Sequence, residues 1–334
     1  MNTTTPKLGW GERAPDFVLP LKNGKLTRFY ALAGGRPTIL LFHDTDECAG
    51  LLRFNAALNE KSVGPVSLFA VERDIPITDP HEREIPFPVF SDTEGAVHEA
   101  YRLGPERQTT LFLLSPNLRV LASFYLEGAT ATAQNVISIL DTALPKVDPL
   151  ELVSHAPVLT IPNVLEAKVC EYLVTVWEHE GNIETGVEQS HAEKRANTIN
   201  HDSKRRRDHT VTDEKLARQL VRSIGVRVIP EIQKAFAFPA TRFEGFKIAC
   251  YDAAVRGFFA AHRDNLSPKT DHRRFAMSLN LNDEYTGGHL RFPEYGTHLY
   301  RPETGGALIF SSSHLHEVTA VTEGRRFVLL SFLY

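Results

Sequence analysis

Prolines concentrate near the middle of this 334-residue chain and separate two segments with different hydrophobic patterns. Within a stretch that has no clear periodicity lie Pro145, Pro149, Pro157 and Pro162. Single hydrophobic cores rarely grow beyond roughly 250–300 residues, so a chain of this length is expected to form two. Because stretches of this kind commonly join domains, the sequence predicts a first domain at residues 1–145, a linker at 146–162 and a second domain at 163–334.

The first segment alternates apolar runs with helical patterns. Runs without polar alternation are typical of strands that are buried on both faces. Strands are predicted at residues 38–43, 66–71, 110–114 and 120–125, and helices at 48–60 and 130–143. This order of elements predicts an α/β domain.

The second segment opens with amphipathic helices and continues as short strands with glycine-rich turns. Asn163, with Glu166 three positions later, predicts a helix start. In residues 275–281 apolar and polar residues alternate, which predicts an antiparallel strand with one buried face. Such strands close most simply as a double sheet packed by helices, so we expect an α+β domain with a jelly-roll (double-stranded β-helix) core.

Composition and charge exclude several classes of protein. The net charge of −4 argues against a dedicated surface for nucleic acid or anionic membranes. No apolar run reaches membrane-spanning length, and the polar N-terminus is unlike a signal peptide. Cys48, Cys170 and Cys250 are too few and too scattered for a disulfide framework. A reducing compartment, the cytoplasm, fits best.

His262 and Asp264 have a spacing that suits metal ligands, because residues two apart in an extended segment point to the same side. A histidine from a remote strand, His316, would complete the two imidazoles and one carboxylate found in non-haem Fe(II) oxygenases. The chain has 14 histidines, so a His-x-Asp pair alone is a weak signal. His314 competes with His316, since the two share a side if this segment is extended. Metal binding is expected to weaken in acid, because the imidazoles must be deprotonated.

Two groups of basic residues are candidates for anion binding. Arg326 begins the last predicted strand, where a guanidinium can hold a dicarboxylate through two hydrogen bonds. The alternative is that it belongs to a surface pair with Arg325. The run Lys204–Arg207 is expected in a solvated loop, with one arginine facing a cleft. In the alternative interpretation the run is a lid whose arginines hold a substrate carboxylate or phosphate.

Together these features resemble the prolyl-4-hydroxylase-like group of Fe(II)/2-oxoglutarate dioxygenases over residues 158–334. The matching segments are 249–251, 258–265, 279–282, 287–294, 315–321 and 324–327. The resemblance implies iron ligands at His262, Asp264 and His316, and it places the distal carboxylate of 2-oxoglutarate on Arg326. It implies Fe(II), 2-oxoglutarate and O₂, with ascorbate as an accessory reductant. Tyr251 is either a further hydroxyl partner of that carboxylate or a packed strand tyrosine.

Residues 8–143 resemble the peroxiredoxin-like branch of the thioredoxin fold. The matching segments are Ala14–Leu19, Asn23-Gly24, Phe87–Asp92 and Ala100-Tyr101. Cys48 follows Thr45 at the spacing of a peroxidatic cysteine, and a helix N-terminus would lower the pKa of its thiol. Asp46 and Glu47 act in the opposite direction. The domain is therefore either a working peroxidase or a scaffold for dimerisation, substrate docking or rigidity.

The expected function is that of a non-haem Fe(II)- and 2-oxoglutarate-dependent dioxygenase. It would hydroxylate an unactivated C–H bond of a peptidyl or free amino acid, in the manner of prolyl hydroxylases, or of a related small metabolite, with release of succinate and CO₂. The alternatives are a thiol peroxidase or redox sensor that acts through Cys48, and a binding module without catalysis. Neither nucleic acid nor membrane is an expected partner. The oligomeric state is left open, although redoxin-like domains often pair as homodimers.

Overall fold

The computed structural model describes residues 8–43, 48–60, 66–73, 85–104, 108–143, 151–188 and 197–334. The chain divides into two compact units between Pro149 and Leu150. No helix within the described ranges is long and apolar enough to cross a membrane.

The first unit is a mixed sheet with helices. Its strands are β1 (Val18–Pro20), β2 (Leu26–Arg28), β3 (Thr38–His43), β4 (Ser67–Glu72), β5 (Val89–Ser91), β6 (Thr110–Leu114) and β7 (Val120–Tyr125). Its helices are α1 (Phe29–Leu32), α2 (Cys48–Glu60), α3 (Ala96–Ala100) and α4 (Ala129–Ala143). The five-stranded sheet has the order β5-β4-β3-β6-β7, with β3, β4 and β5 parallel and β6 and β7 antiparallel. This confirms the predicted thioredoxin-like α/β domain.

Strand β3 is buried along its whole length and supplies apolar side chains to two cores. Leu40 and Phe42 pack in a cluster with Phe29 and Tyr101. Ile39 and Leu41 point to the opposite face, into a cluster that includes side chains of α2 and α4. The two-residue period of a strand therefore explains why the run carries no polar alternation.

The second unit is a sandwich of two sheets with helices. Its strands are β8 (Leu159–Ile161), β9 (Ile183–Glu184), β10 (Val187–Glu188), β11 (Asn197–Thr198), β12 (Lys204–Arg205), β13 (Arg207–Thr210), β14 (Lys247–Asp252), β15 (Phe258–His262), β16 (Phe275–Asn280), β17 (Tyr285–Gly287), β18 (Leu290–Arg291), β19 (Leu299–Tyr300), β20 (Ala307–Ser311), β21 (His316–Val318) and β22 (Val321–Leu333). Its helices are α5 (Ala167–His179) and α6 (Glu214–Phe236), and short 3₁₀ turns occur at Ala253–Val255 and Pro293–Tyr295.

The larger sheet of this unit has the order β8-β20-β16-β22-β14-β13-β9, with β17 added to β22. The smaller sheet has the order β12-β15-β21-β18-β19. Helices α5 and α6 pack against one face of the larger sheet, where Leu173, Ile224 and Met277 share a cluster. The second cluster, with Phe292 and Val318, joins side chains of both sheets. The predicted jelly-roll architecture is thus confirmed.

Three local expectations differ from the structure. Helix α5 begins at Ala167 rather than near Asn163, because the amides of Val164 and Leu165 donate to the Gly305 carbonyl instead of starting a helix. All six residues of β16 are buried, because its polar face lines the sandwich interior rather than solvent. Part of the predicted linker belongs to the second unit, since β8 pairs with β20.

Gly305 gives a test of this packing. Its φ is +78°, and a Cβ there would lie 2.1 Å from the Leu165 carbonyl oxygen. We expect Gly305→Ala to destabilise the second unit by roughly 3 kcal/mol or more. At Gly245 (φ +101°) a Cβ meets no atom within 4 Å, so Gly245→Ala should cost only about 1 kcal/mol. Urea unfolding followed by Trp177 fluorescence in a Trp10→Phe background measures both. Equal losses would contradict the steric argument.

Candidate metal centre

Two histidines face each other across neighbouring strands. His262 ends β15, His316 begins β21, and the two residues are direct partners in the antiparallel pairing of these strands. Their ring centroids are 4.2 Å apart. An irregularity in the pairing between Phe259 and His262 adjusts the register locally. The pairing brings together side chains that are more than fifty positions apart in sequence.

Asp264 lies just beyond β15 and completes the cluster. Its Oδ1 is 3.6 Å from His262 Nε2, and its Oδ2 is 3.3 Å from His316 Nε2. One ligand atom from each of the three residues lies within 4.8 Å of the others. The backbone is anchored because the Asp264 amide donates to the Ser312 carbonyl and Arg273 donates to the Asp264 carbonyl.

Backbone carbonyls fix the tautomers of both imidazoles. His262 Nδ1 lies 2.8 Å from the Ala260 carbonyl, and His316 Nδ1 lies 3.0 Å from the His314 carbonyl. A carbonyl only accepts, so each Nδ1 carries the proton and each Nε2 offers a lone pair to the cluster. Donation of the other ring N–H to a carbonyl is a common arrangement for metal-binding histidine.

The alternative histidine, His314, does not join the cluster. It lies in the turn between β20 and β21. The expectation that His314 and His316 share a side assumed an extended segment, and this turn is not extended. Its ring packs on Tyr295, whose hydroxyl is 3.3 Å from His314 Nε2. The contribution of His314 is its carbonyl oxygen, which orients His316.

Burial sets the protonation of the cluster. Burial, together with the neighbouring His316, lowers the pKa of His262 to about 3. Burial also raises the pKa of the Asp264 carboxyl above its usual value. Charged groups lose hydration here, and a divalent cation is the partner that would stabilise the carboxylate. Two neutral imidazoles and one carboxylate on one side form a donor set that fits Fe(II).

The cluster lines a cavity of about 470 Å³ that also contains Arg326. The Arg326 side chain is almost fully buried, with 3% of its surface exposed. Its Nε has no hydrogen-bond partner, and no carboxylate of the described residues pairs with it. Nη2 lies 3.4 Å from the Ser278 hydroxyl. A buried guanidinium without a counter-ion is costly, so this side of the cavity suits an anionic ligand.

Tyr251 lies opposite Arg326 in the β14–β22 pairing and lines the same cavity. Its hydroxyl accepts a hydrogen bond from Arg206 at 3.2 Å. Arg206 in turn donates from two nitrogens to the Asp208 carboxylate, each at 2.7 Å. Burial acts to raise the pKa of Asp208, but Arg206 outweighs it and holds that pKa below its usual range.

The predicted solvated loop at Lys204–Arg207 is wrong for Lys204, whereas the arginine that was expected to face a cleft is Arg206. Lys204 is buried, the Arg206 side chain is 9% exposed, and both line the cavity. Arg205 and Arg207 donate to Val255 and Asn182 in exposed contacts. Lys204 Nζ donates to the Thr185 hydroxyl at 2.7 Å. Lys204 and Arg206 are two positions apart in an extended segment, so their side chains share a face. This two-residue spacing was the sequence signal that could have indicated their common position in the cavity.

Two of the three cysteines are unreactive structural residues. Cys170 and Cys250 are buried free thiols, and burial raises the pKa of each to about 12. Cys48 is the first described residue of α2. Its side chain, together with Thr45, Asp46 and Glu47, lies outside the described residues.

Comparison with protein families assigns each unit. Residues 246–334 match the model of the 2OG-Fe(II) oxygenase superfamily, and residues 10–123 match that of the AhpC/TSA family. The first range contains the whole His/Asp/His cluster and Arg326. The second range contains Cys48 and the sheet of the first unit except the last two residues of β7.

Two curated relatives are hydroxylases. A multifunctional procollagen lysine hydroxylase and glycosyltransferase of Caenorhabditis elegans is 34% identical over 74 residues, which is 21% of this chain and 10% of that protein. A PKHD-type hydroxylase of Prochlorococcus marinus is 30% identical over 104 residues, 30% of this chain and 45% of that protein. The chain thus spans less than half the length of either relative.

A solved prolyl hydroxylase of Trichoplax adhaerens, in complex with a hypoxia inducible factor peptide fragment, is 16% identical with a TM-score of 0.43. The similarity covers 53% of this chain and 83% of that one. The C-terminal unit is therefore similar to the 2OG-Fe(II) oxygenase superfamily over residues 246–334. The N-terminal unit carries a redoxin domain.

The cluster geometry predicts how metal binding depends on each histidine. We expect His316→Ala to weaken binding of Co(II), used as a spectroscopic stand-in for Fe(II), by roughly 100-fold or more, because one of three ligands is lost. His314→Ala keeps the carbonyl that orients His316 and should retain affinity within about threefold. Titration followed by the visible d–d absorption of Co(II) separates the two variants. Equal weakening would place the metal elsewhere.

Proposed function

We propose that this protein is a 2-oxoglutarate-dependent hydroxylase whose iron is held by His262, Asp264 and His316. It acts on an unactivated C–H bond of a peptidyl or free amino acid or a related small metabolite, and it releases succinate and CO₂. The observation that carries the proposal is one cavity that holds both the His/Asp/His cluster and the unpaired guanidinium of Arg326.

Arg326 is proposed to bind the distal carboxylate of 2-oxoglutarate. A guanidinium forms charged hydrogen bonds with a carboxylate, and it does so most strongly where water is excluded. Ser278 lies beside it and offers a further donor. Tyr251 stands across from Arg326, and its hydroxyl accepts from Arg206 while keeping its own proton to donate. Its proposed role is to link the cosubstrate site to the Arg206–Asp208 pair.

Each remaining residue of the site has a task that follows from its contacts. The carbonyls of Ala260 and His314 hold the two Nε2 atoms toward the metal position. Arg273, which is paired with Glu244, fixes the backbone of Asp264. Apolar side chains such as Leu290, Phe310 and Val318 line the cavity and exclude water. The oxidation of the C–H bond is chemistry that iron, 2-oxoglutarate and O₂ supply when they are bound.

A comparison of two adjacent arginines tests this function. The wild-type protein should form succinate only when both Fe(II) and 2-oxoglutarate are present, and Asp264→Ala should form none. We expect Arg326→Gln to raise the KM for 2-oxoglutarate by roughly 10- to 100-fold, since charged hydrogen bonds contribute about 1.5–3 kcal/mol. The matched control is Arg325→Gln, because Arg325 is half-exposed and pairs with Glu178.

Succinate formation would be measured by a coupled assay at several concentrations of 2-oxoglutarate, with circular dichroism as the check of folding. Equal KM values for the two glutamine variants would remove Arg326 from the cosubstrate site. Unaltered succinate formation by Asp264→Ala would overturn the proposed iron site.

A second function, thiol peroxidase activity, has one observation in its favour. Cys48 is the first described residue of α2 within the range that matches the AhpC/TSA family, and a helix N-terminus stabilises a thiolate. If this activity exists, the protein consumes hydrogen peroxide in the presence of a thiol reductant, and Cys48→Ser abolishes consumption. Cys170→Ser should leave it unchanged, because that thiol is buried. Equal rates for Cys48→Ser and the wild type would leave the first unit as a scaffold.

A further inference from the structure

The cavity contains one buried cation for which the proposed function gives no anion. Its charged side chains form two internal pairs, Arg206 with Asp208 and Arg273 with Glu244. Asp264 and one carboxylate of 2-oxoglutarate would balance a divalent iron, and the other carboxylate would balance Arg326. Among the described residues that line the cavity, Lys204 is then the remaining cation apart from Lys247, which is exposed.

The hydrogen bonds of Lys204 to described residues use two of its three ammonium hydrogens, and neither of them reaches a carboxylate. The side chain is 5% exposed, and its Nζ donates to the Thr185 hydroxyl at 2.7 Å and to the Gly186 carbonyl at 3.3 Å. Both acceptors are neutral. Among the described residues its ion-pair partner is Asp208, whose carboxylate oxygen is 4.0 Å away, and that carboxylate already accepts two shorter bonds from Arg206.

Lys204 lies close to the metal-binding cluster. It pairs with Phe259 between β12 and β15, and its Nζ is 5.1 Å from the centre of the Phe259 ring. That ring stacks on His262 with a centroid separation of 3.5 Å. A group bound at Lys204 is therefore one aromatic ring away from a ligand of the proposed iron.

We propose that Lys204 anchors a carboxylate of the substrate, so that the hydroxylated molecule is a small free acid such as a free amino acid. This inference rests on the proposed function and narrows its substrate class. A carboxylate held at Lys204 places the first carbons of the acid beside the His/Asp/His cluster. The depth of Lys204 favours a small molecule, because an internal peptide residue reaches a buried ammonium only through an acidic side chain.

The protonation of Lys204 agrees with this assignment. Burial lowers the pKa of the Lys204 ammonium to about 7, and the neighbouring Arg206 contributes in the same direction. A bound carboxylate reverses this trend, because an opposite charge at short range favours the charged form of lysine. The substrate itself would thus stabilise the ammonium that recognises it.

Matched acids and amides test the proposal. The protein is loaded with Mn(II) and 2-oxoglutarate under argon, and binding of L-proline, L-leucine, L-lysine and their carboxamides is measured by calorimetry. We expect at least one acid to bind roughly 10-fold or more tightly than its amide. Lys204→Met should bring that ratio close to one, and Lys204→Arg should restore part of it. Lys247→Met, at the cavity edge, should leave the ratio unchanged.

Three results would overturn the assignment: equal binding of every acid and amide to the wild type, an unchanged ratio in Lys204→Met, or a preference for capped peptides with an internal aspartate over all free acids. Lys204→Gln serves as the second variant if Lys204→Met fails to fold. Failure of the proposed function would look different from failure of this assignment. In that case the wild type would form no succinate from 2-oxoglutarate in the uncoupled reaction, which needs no added substrate. Lys247→Met should retain that uncoupled turnover and the wild-type KM for 2-oxoglutarate.

Discussion

The hydrogen-bonded pairing of β15 with β21 is the contact on which the His/Asp/His cluster depends. It places His262 directly opposite His316, and a slip of one residue would turn one imidazole to the other face of the sheet. A hydrogen bond from a neighbouring loop helps to hold this register. The Asp264 amide bonds to Ser312, so the loop that carries the carboxylate is attached to the end of β20. Ligand positions in this fold are therefore a property of strand register more than of side-chain conformation.

Strand β22 connects this cluster to the rest of the cavity. It pairs with β14, β16 and β17, and it brings Arg326 beside Tyr251 and Ser278. Each of these three residues comes from a different strand, yet all face the sandwich interior. On its other face the larger sheet packs against α5 and α6 through apolar side chains. Because this packing is close, the strands have little freedom to shift.

Features carried by local patterns were predictable from the sequence. The apolar run at residues 38–43 identified β3, and the two-residue spacing of His262 and Asp264 identified two members of the cluster. Long-range geometry was not predictable in the same way. The alternation in β16 predicted a strand correctly but assigned its polar face to water, because hydrophobic periodicity does not distinguish solvent from a polar cavity. For the same reason Lys204 was expected in a solvated loop, although the structure buries it. Spacing did not choose between His314 and His316; the family resemblance chose His316, and the turn that precedes β21 gives the structural reason.

Two adjacent residues of β14 point to opposite faces of the larger sheet. Tyr251 points into the interior between the sheets, and Cys250 points to the helix-covered side. Sulfur is oxidised through its thiolate, and burial keeps this thiol and that of Cys170 protonated. These two sulfurs are therefore held in their least reactive form toward any oxidant that enters the domain.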